Sequence, residues 1–74
     1  MKAKQCSRFL KGINANFMPS METAIKIEVA IYDMQRQLGY EGALKLLEME
    51  ASEFEAAFQE LDNYVKGRTK TDEH

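Results

Sequence analysis

The chain has 74 residues, a net charge of −2, 45% hydrophobic residues, one cysteine and one histidine. A chain this short makes one domain with a thin core, and domains of this size lean on disulfides, a metal or oligomerisation. Cys6 alone excludes an intrachain disulfide, and His74 as the sole histidine, with no Cys/His cluster, argues against a structural zinc site.

What remains is an efficient helical core or a dimer. No apolar run approaches the ~20 residues of a membrane span. Lys2 and Lys4 are not followed by the apolar run of a secretory signal, and a lone thiol suits a reducing compartment, so a cytoplasmic, acidic, non-membrane protein is expected. The charges are segregated. Residues 1–20 hold Lys2, Lys4, Arg8 and Lys11 and no acid, whereas 41–62 hold seven acids and only Lys45 as a base.

Residues 3–13 fit a short helix. Cys6, Phe9, Leu10 and Ile13 give one apolar face, and Lys4, Arg8 and Lys11 fall opposite. Gly12 is a candidate C-cap. "NANFMPS" (14–20) is a connection, since Asn favours turns and the residue before Pro19 is pushed out of helical geometry. Phe17 and Met18 are apolar enough that this loop is expected to pack onto the body.

"IKIEVAI" (25–31) alternates β-branched and other residues, as a half-buried strand does. Its boundaries favour a helix. Ser20 is a good N-cap, Glu22 complements the helix dipole in the first turn, and Gly39 is a good stop. Over 20–38 the helical template gives two stripes: Ala24, Ile27, Ile31, Met34 and Leu38 form one, and Met21, Ile25, Val29 and Tyr32 the other. Glu28 and Gln35 divide them. In the strand reading a two-fold twin would pair with 25–31, which is the ribbon-helix-helix plan of DNA-binding dimers.

"YEGALKLLEM" (40–49) predicts a third helix over 41–50, with Tyr40, Ala43, Leu44, Leu46 and Leu47 mostly buried. Ser52 and Glu55 have capping-box spacing and start a fourth helix over 53–66. Phe54, Ala57, Phe58, Leu61, Tyr64 and Val65 form its stripe, and Asp62 and Lys66 are an i,i+4 pair. Gly67 is the expected stop, and 68–74 the polar, disordered tail of a single domain spanning 1–67. The expected fold is all-α, a small bundle of about four helices with a long central second helix.

"LKLLEMEASEFEAAF" (44–58) resembles the helix-turn-helix unit of phage and bacterial repressors. The resemblance implies that Leu44 and Leu47 pack the first helix, Met49 the turn, and Phe54 and Ala57 the second helix. The family usually has Gly in the turn, where this chain has Glu48. The would-be recognition helix also carries Glu53, Glu55, Glu60 and Asp62, and DNA, with about one negative charge per 1.7 Å, repels such a helix.

No catalytic constellation is present: the one histidine is in the tail, and Glu48, Glu50, Glu53 and Glu55 cluster around a helix start, where dipole complementation and solvation account for them. There is no calcium-loop spacing, phosphate-cradling glycine loop or Glu-x-x-His pair. Neither a cofactor nor a metal site is expected. Cys6 reads as a small buried hydrophobe rather than a reactive thiol.

Two surfaces stand out. A bundle helix needs one apolar stripe and the second helix has two, so the spare one predicts a partner or homodimer interface. Its candidates are Ile25, Ile27, Glu28, Val29, Ile31, Tyr32, Met34 and Gln35, with either Ile27/Ile31/Met34 or Ile25/Val29/Tyr32 exposed. Lys2, Lys4, Arg8 and Lys11 form a candidate basic contact face. By analogy of size and acidity, the expected role is non-enzymatic: a phage- or plasmid-like regulator or inhibitor that binds another protein or itself. The alternative is a dimeric DNA-binding regulator using a helix-turn-helix-like or ribbon-helix-helix-like element.

Overall fold

The structure is a computed structural model that describes residues 2–72, with side chains described for 2–67. Among the described residues there are three helices, α1 (Ala3–Asn14), α2 (Met21–Leu47) and α3 (Ala51–Asp72), and each packs on the other two. No strand occurs among the described residues, and 25–31 is helical throughout. A ribbon-helix-helix arrangement therefore lacks its strand at this position.

The start of α2 and the ends of α1 and α2 have local causes. Ser20 caps α2, its Oγ accepting from the Thr23 N–H at 3.3 Å. The stop of α1 is not Gly12 but Asn16, which takes φ 70°. Asn tolerates that left-handed geometry, and it lets the Phe17 N–H donate to the Gly12 carbonyl at 2.8 Å, a Schellman closure. Glu48, at φ 56°, closes the end of α2 the same way: the Met49 N–H donates to the Leu44 carbonyl at 3.2 Å. This ends the helix three residues before the expected position at 50.

A left-handed residue with a Cβ costs about 1 kcal/mol where glycine is free of the penalty. Replacing Glu48 with Gly is therefore expected to raise the unfolding free energy by about 0.5–1 kcal/mol, read from chemical denaturation. A loss of stability would show that the Glu48 carboxylate holds the turn instead.

Three helices stand where four were expected, because the break after Leu38 is a joint one residue long. Gly39 has φ 78° and ψ 169°, a conformation essentially confined to glycine, and helical geometry resumes at Tyr40. The joint is tight: a Cβ on Gly42 would lie 2.8 Å from Leu38 Cβ. α2 thus has two arms, 21–38 and 40–47, with no loop between them.

α3 also differs at both ends. It starts at Ala51, so Ser52 and Glu55 lie inside the helix rather than forming a capping box. Glu55 has another partner, the Tyr40 hydroxyl, which donates to it at 2.8 Å. α3 runs through Gly67, the expected stop, as far as Asp72. The side chains of 68–72 and all of 73–74, which make up the tail, lie outside the described residues.

The core lies where the three helices meet. α1 buries Cys6, Leu10 and Ile13; the first arm of α2 buries Ala24, Ile27 and Ile31; α3 buries Phe54, Ala57 and Leu61. Leu47 and Met49 close the end, and Phe9, Phe58, Tyr64 and Val65 pack around the margin. The loop departs from expectation, because Phe17 is 75% exposed; the Schellman closure that fixes its backbone points the ring outward.

Candidate functional site

The first arm of α2 presents its two stripes to different environments. Ile27 and Ile31 are fully buried against α1 and α3 and offer a partner nothing. Met34 and Gln35 are half-buried. Ile25, Val29 and Tyr32 remain 45%, 62% and 52% exposed. α1 and α3 supply cover for one stripe, and the other is left in water.

Ile25 and Val29 border an open groove of about 480 Å³ that extends over Ala30 and Met34 to Leu38 and Leu46. Leu38 and Leu46 are each about half exposed, although their spacing predicts burial. The Gly39 joint accounts for both. It brings the second arm beside the first, so that the two leucines flank the groove instead of entering the core. The polar rim is internally paired: Lys26 Nζ lies 3.5 Å from Glu22 Oε1, and Arg36 pairs with Asp33. Tyr32 is steadied by an edge-on contact with Phe58, ring centroids 5.5 Å apart.

Glu28 does not divide two external surfaces; it faces α3. Asp62 there is paired with Lys66 at 3.1 Å, the pair expected from spacing. Burial, and then the neighbouring Asp62 carboxylate, push Glu28 from 4.5 up to about 7, opposed by Lys66. Its Oε2 is buried without a hydrogen-bond partner, which is the cost of holding it ionised there. Protonated Glu28 donates to Asp62, and that bond, with Lys66, holds the Asp62 carboxyl below its ordinary 3.8.

The sign of the pH effect follows. The folded state binds the Glu28 proton more tightly than the unfolded chain does. Its contribution is therefore complete below pH 4.5 and is lost as the pH rises through about 7. Asp62 acts oppositely, and its contribution is lost only as the pH falls below its ordinary 3.8. Solvent screening at this half-open seam limits the Glu28 effect to about 1 kcal/mol. Glu28→Gln is expected to flatten the stability profile between pH 5 and 8 and to exceed wild type at pH 8 by roughly that amount. A wild-type profile that rises over this interval would refute the assignment.

On α1, Lys2, Lys4, Arg8 and Lys11 are exposed, and none of them forms an ion pair among the described residues. Lys4, Arg8 and Lys11 share a groove of about 510 Å³ with Leu46, Leu47 and Glu48. The carbonyl end of α2 and the Glu48 carboxylate offset part of this positive charge from within the molecule.

The segment that resembles a helix-turn-helix has an informative turn. Glu48 occupies the left-handed conformation that a glycine would adopt without penalty. Met49 is buried in the turn, as are Leu47, Phe54 and Ala57, whereas Leu44 is half-buried. Glu55 and Glu60 lie on the exposed face of α3.

Cys6 is fully buried, and burial pushes its thiol up, away from the reactive thiolate. Among the described residues no group of three or more His, Cys, Asp or Glu could hold a metal ion, and no helix is long and apolar enough to cross a membrane. The most concentrated unexplained feature is thus the apolar outer face of α2. No protein-family model, no curated protein and no solved structure matches this chain.

Proposed function

We propose that the protein is a small non-enzymatic interaction module, a regulator or inhibitor of the phage or plasmid kind, that acts by burying the outer face of α2 against a protein surface. The observation that carries this reading is the exposure of Ile25, Val29 and Tyr32 beside a groove flanked by Leu38 and Leu46. Contiguous apolar surface rimmed by charge marks contact sites on small domains. The paired rim charges suit orientation of a partner more than affinity.

A photo-crosslinking residue at position 29, with one at position 60 on the exposed face of α3 as control, tests it in cells that produce the protein. Protein adducts at 29 and not at 60 are expected. Equal yields at the two positions, or none at 29, would overturn it.

The left-handed Glu48 favours a second reading, a DNA-binding dimer using 44–58, with Lys4, Arg8 and Lys11 on phosphates. Glu55 and Glu60 on α3 oppose it. Retention on non-specific duplex DNA that falls steeply with salt, and weakens on substituting the three basic residues, would establish it.

A further inference from the structure

We infer that the occupant of the outer face of α2 is the same face of a second copy of this chain, paired antiparallel about a two-fold axis; this rests on reading that face as a protein-binding surface, and it names the partner. Ile25, Val29, Tyr32 and Arg36 recur at spacings of four, three and four, the seam of a two-helix packing. All four are exposed on the first arm of α2.

The charges beside the seam discriminate among the ways two such arms can meet. In a parallel pair each seam residue faces its own copy, so Arg36 meets the partner's Arg36, cation against cation. In an antiparallel pair with Ile25 opposite the partner's Val29, Lys26 meets the partner's Lys26. The antiparallel register with Val29 opposite the partner's Tyr32 is different. It sets Ile25 on the aliphatic stem of the partner's Arg36 and Lys26 beside the partner's Asp33, and the two-fold axis repeats both contacts. Lys26 and Asp33 already carry their own opposite charges, Glu22 and Arg36. The result on each side is an alternating row: Glu22, Lys26, the partner's Asp33, the partner's Arg36. Like charges across a contact suppress the wrong registers, so the pattern specifies one.

A charge-swap pair tests this. The wild-type chain, measured by light scattering from micromolar to millimolar concentration, should shift from 8.5 kDa towards twice that mass. K26D and D33K should each stay folded by circular dichroism, because both positions are solvent-facing. Each alone sets like charges together twice, and its dimer dissociation constant should rise about tenfold or more. Mixed in equal amounts, the two variants restore both opposite-charge contacts and should form a heterodimer with near wild-type affinity. Failure of the mixture to associate better than either variant alone would overturn the register. A wild-type chain that stays monomeric throughout would overturn the self-pairing; adducts at position 29 with a heavier protein would then still uphold the interaction surface, and absence of adducts would remove both.

Discussion

Replacing Ile31 with Ala should lower the unfolding free energy by about 3–4 kcal/mol, whereas replacing Val29 with Ala should change it by less than about 0.5 kcal/mol. The two residues are two positions apart on one helix arm and similar in chemistry. Ile31 is fully buried and Val29 is 62% exposed. Truncating Ile31 removes buried methyl groups where α1, α2 and α3 converge, and a core this small cannot collapse to fill the space. In a domain of this length the loss corresponds to a fall in melting temperature of roughly 4–8 °C for each kcal/mol. At position 29 the lost contact area is offset by the better helix propensity of Ala. Equal destabilisation at both positions in dilute protein would mean that the outer stripe is covered within the chain. That result would remove the basis for an interaction surface on α2.

Gly39→Ala should cost about 2–3 kcal/mol, and the cause is isolated by geometry. A Cβ at Gly39 meets nothing within 4 Å, so no steric contact with another residue contributes. The penalty comes from φ 78° and ψ 169° alone. The chain can escape it only by carrying helical geometry straight through, which strips the second arm and α3 from their places. Gly67→Ala is the matched control. It too meets nothing within 4 Å but lies within α3 with no positive φ, so Ala should stabilise there, by up to about 1 kcal/mol. Denaturant melts of the two variants give the comparison. Gly39→Ala as stable as wild type, with an unchanged hydrodynamic radius, would show that α2 is not kinked there.

Much of the helical framework was legible because one face of each element is periodic. Cys6, Leu10 and Ile13 of α1, Ala24, Ile27 and Ile31 of α2 and Phe54, Ala57 and Leu61 of α3 occupy the core as their spacing demands, whereas Leu38, of the same α2 stripe, does not. Seven residues of alternation at 25–31 imitate a strand, but the Ser20 cap and the Gly39 stop set the window over which periodicity has to be judged. Other features depend on geometry that spacing does not contain. A positive-φ glycine signals a break, but whether a loop or a one-residue joint follows depends on whether the next arm packs at once, as the Leu38–Gly42 approach allows. Ser52 and Glu55 have the sequence of a capping box, but Tyr40 engages Glu55, and the left-handed Glu48 sets the start of α3 earlier. Left-handed Glu has no sequence signature at all. For the surface, periodicity showed that α2 carries one stripe too many. Choosing between the stripes required knowing that only α1 and α3 cover it. Glu28 was visible as a polar residue at the edge of a stripe, yet its partner Asp62 belongs to another helix and could not be read from spacing.

The joint at Gly39 also bears on which changes of length the chain can absorb. In a loop, an added residue is taken up by slack. Here it would rotate everything after it by about 100°, carrying Ala43 and Leu47 off the core and Leu46 away from the groove. The connection at 15–19 has no such constraint, since Phe17 and Met18 lie in the open. Any natural variation in the length of this protein should therefore collect at 15–19 and leave the spacing from Ile31 to Leu47 fixed.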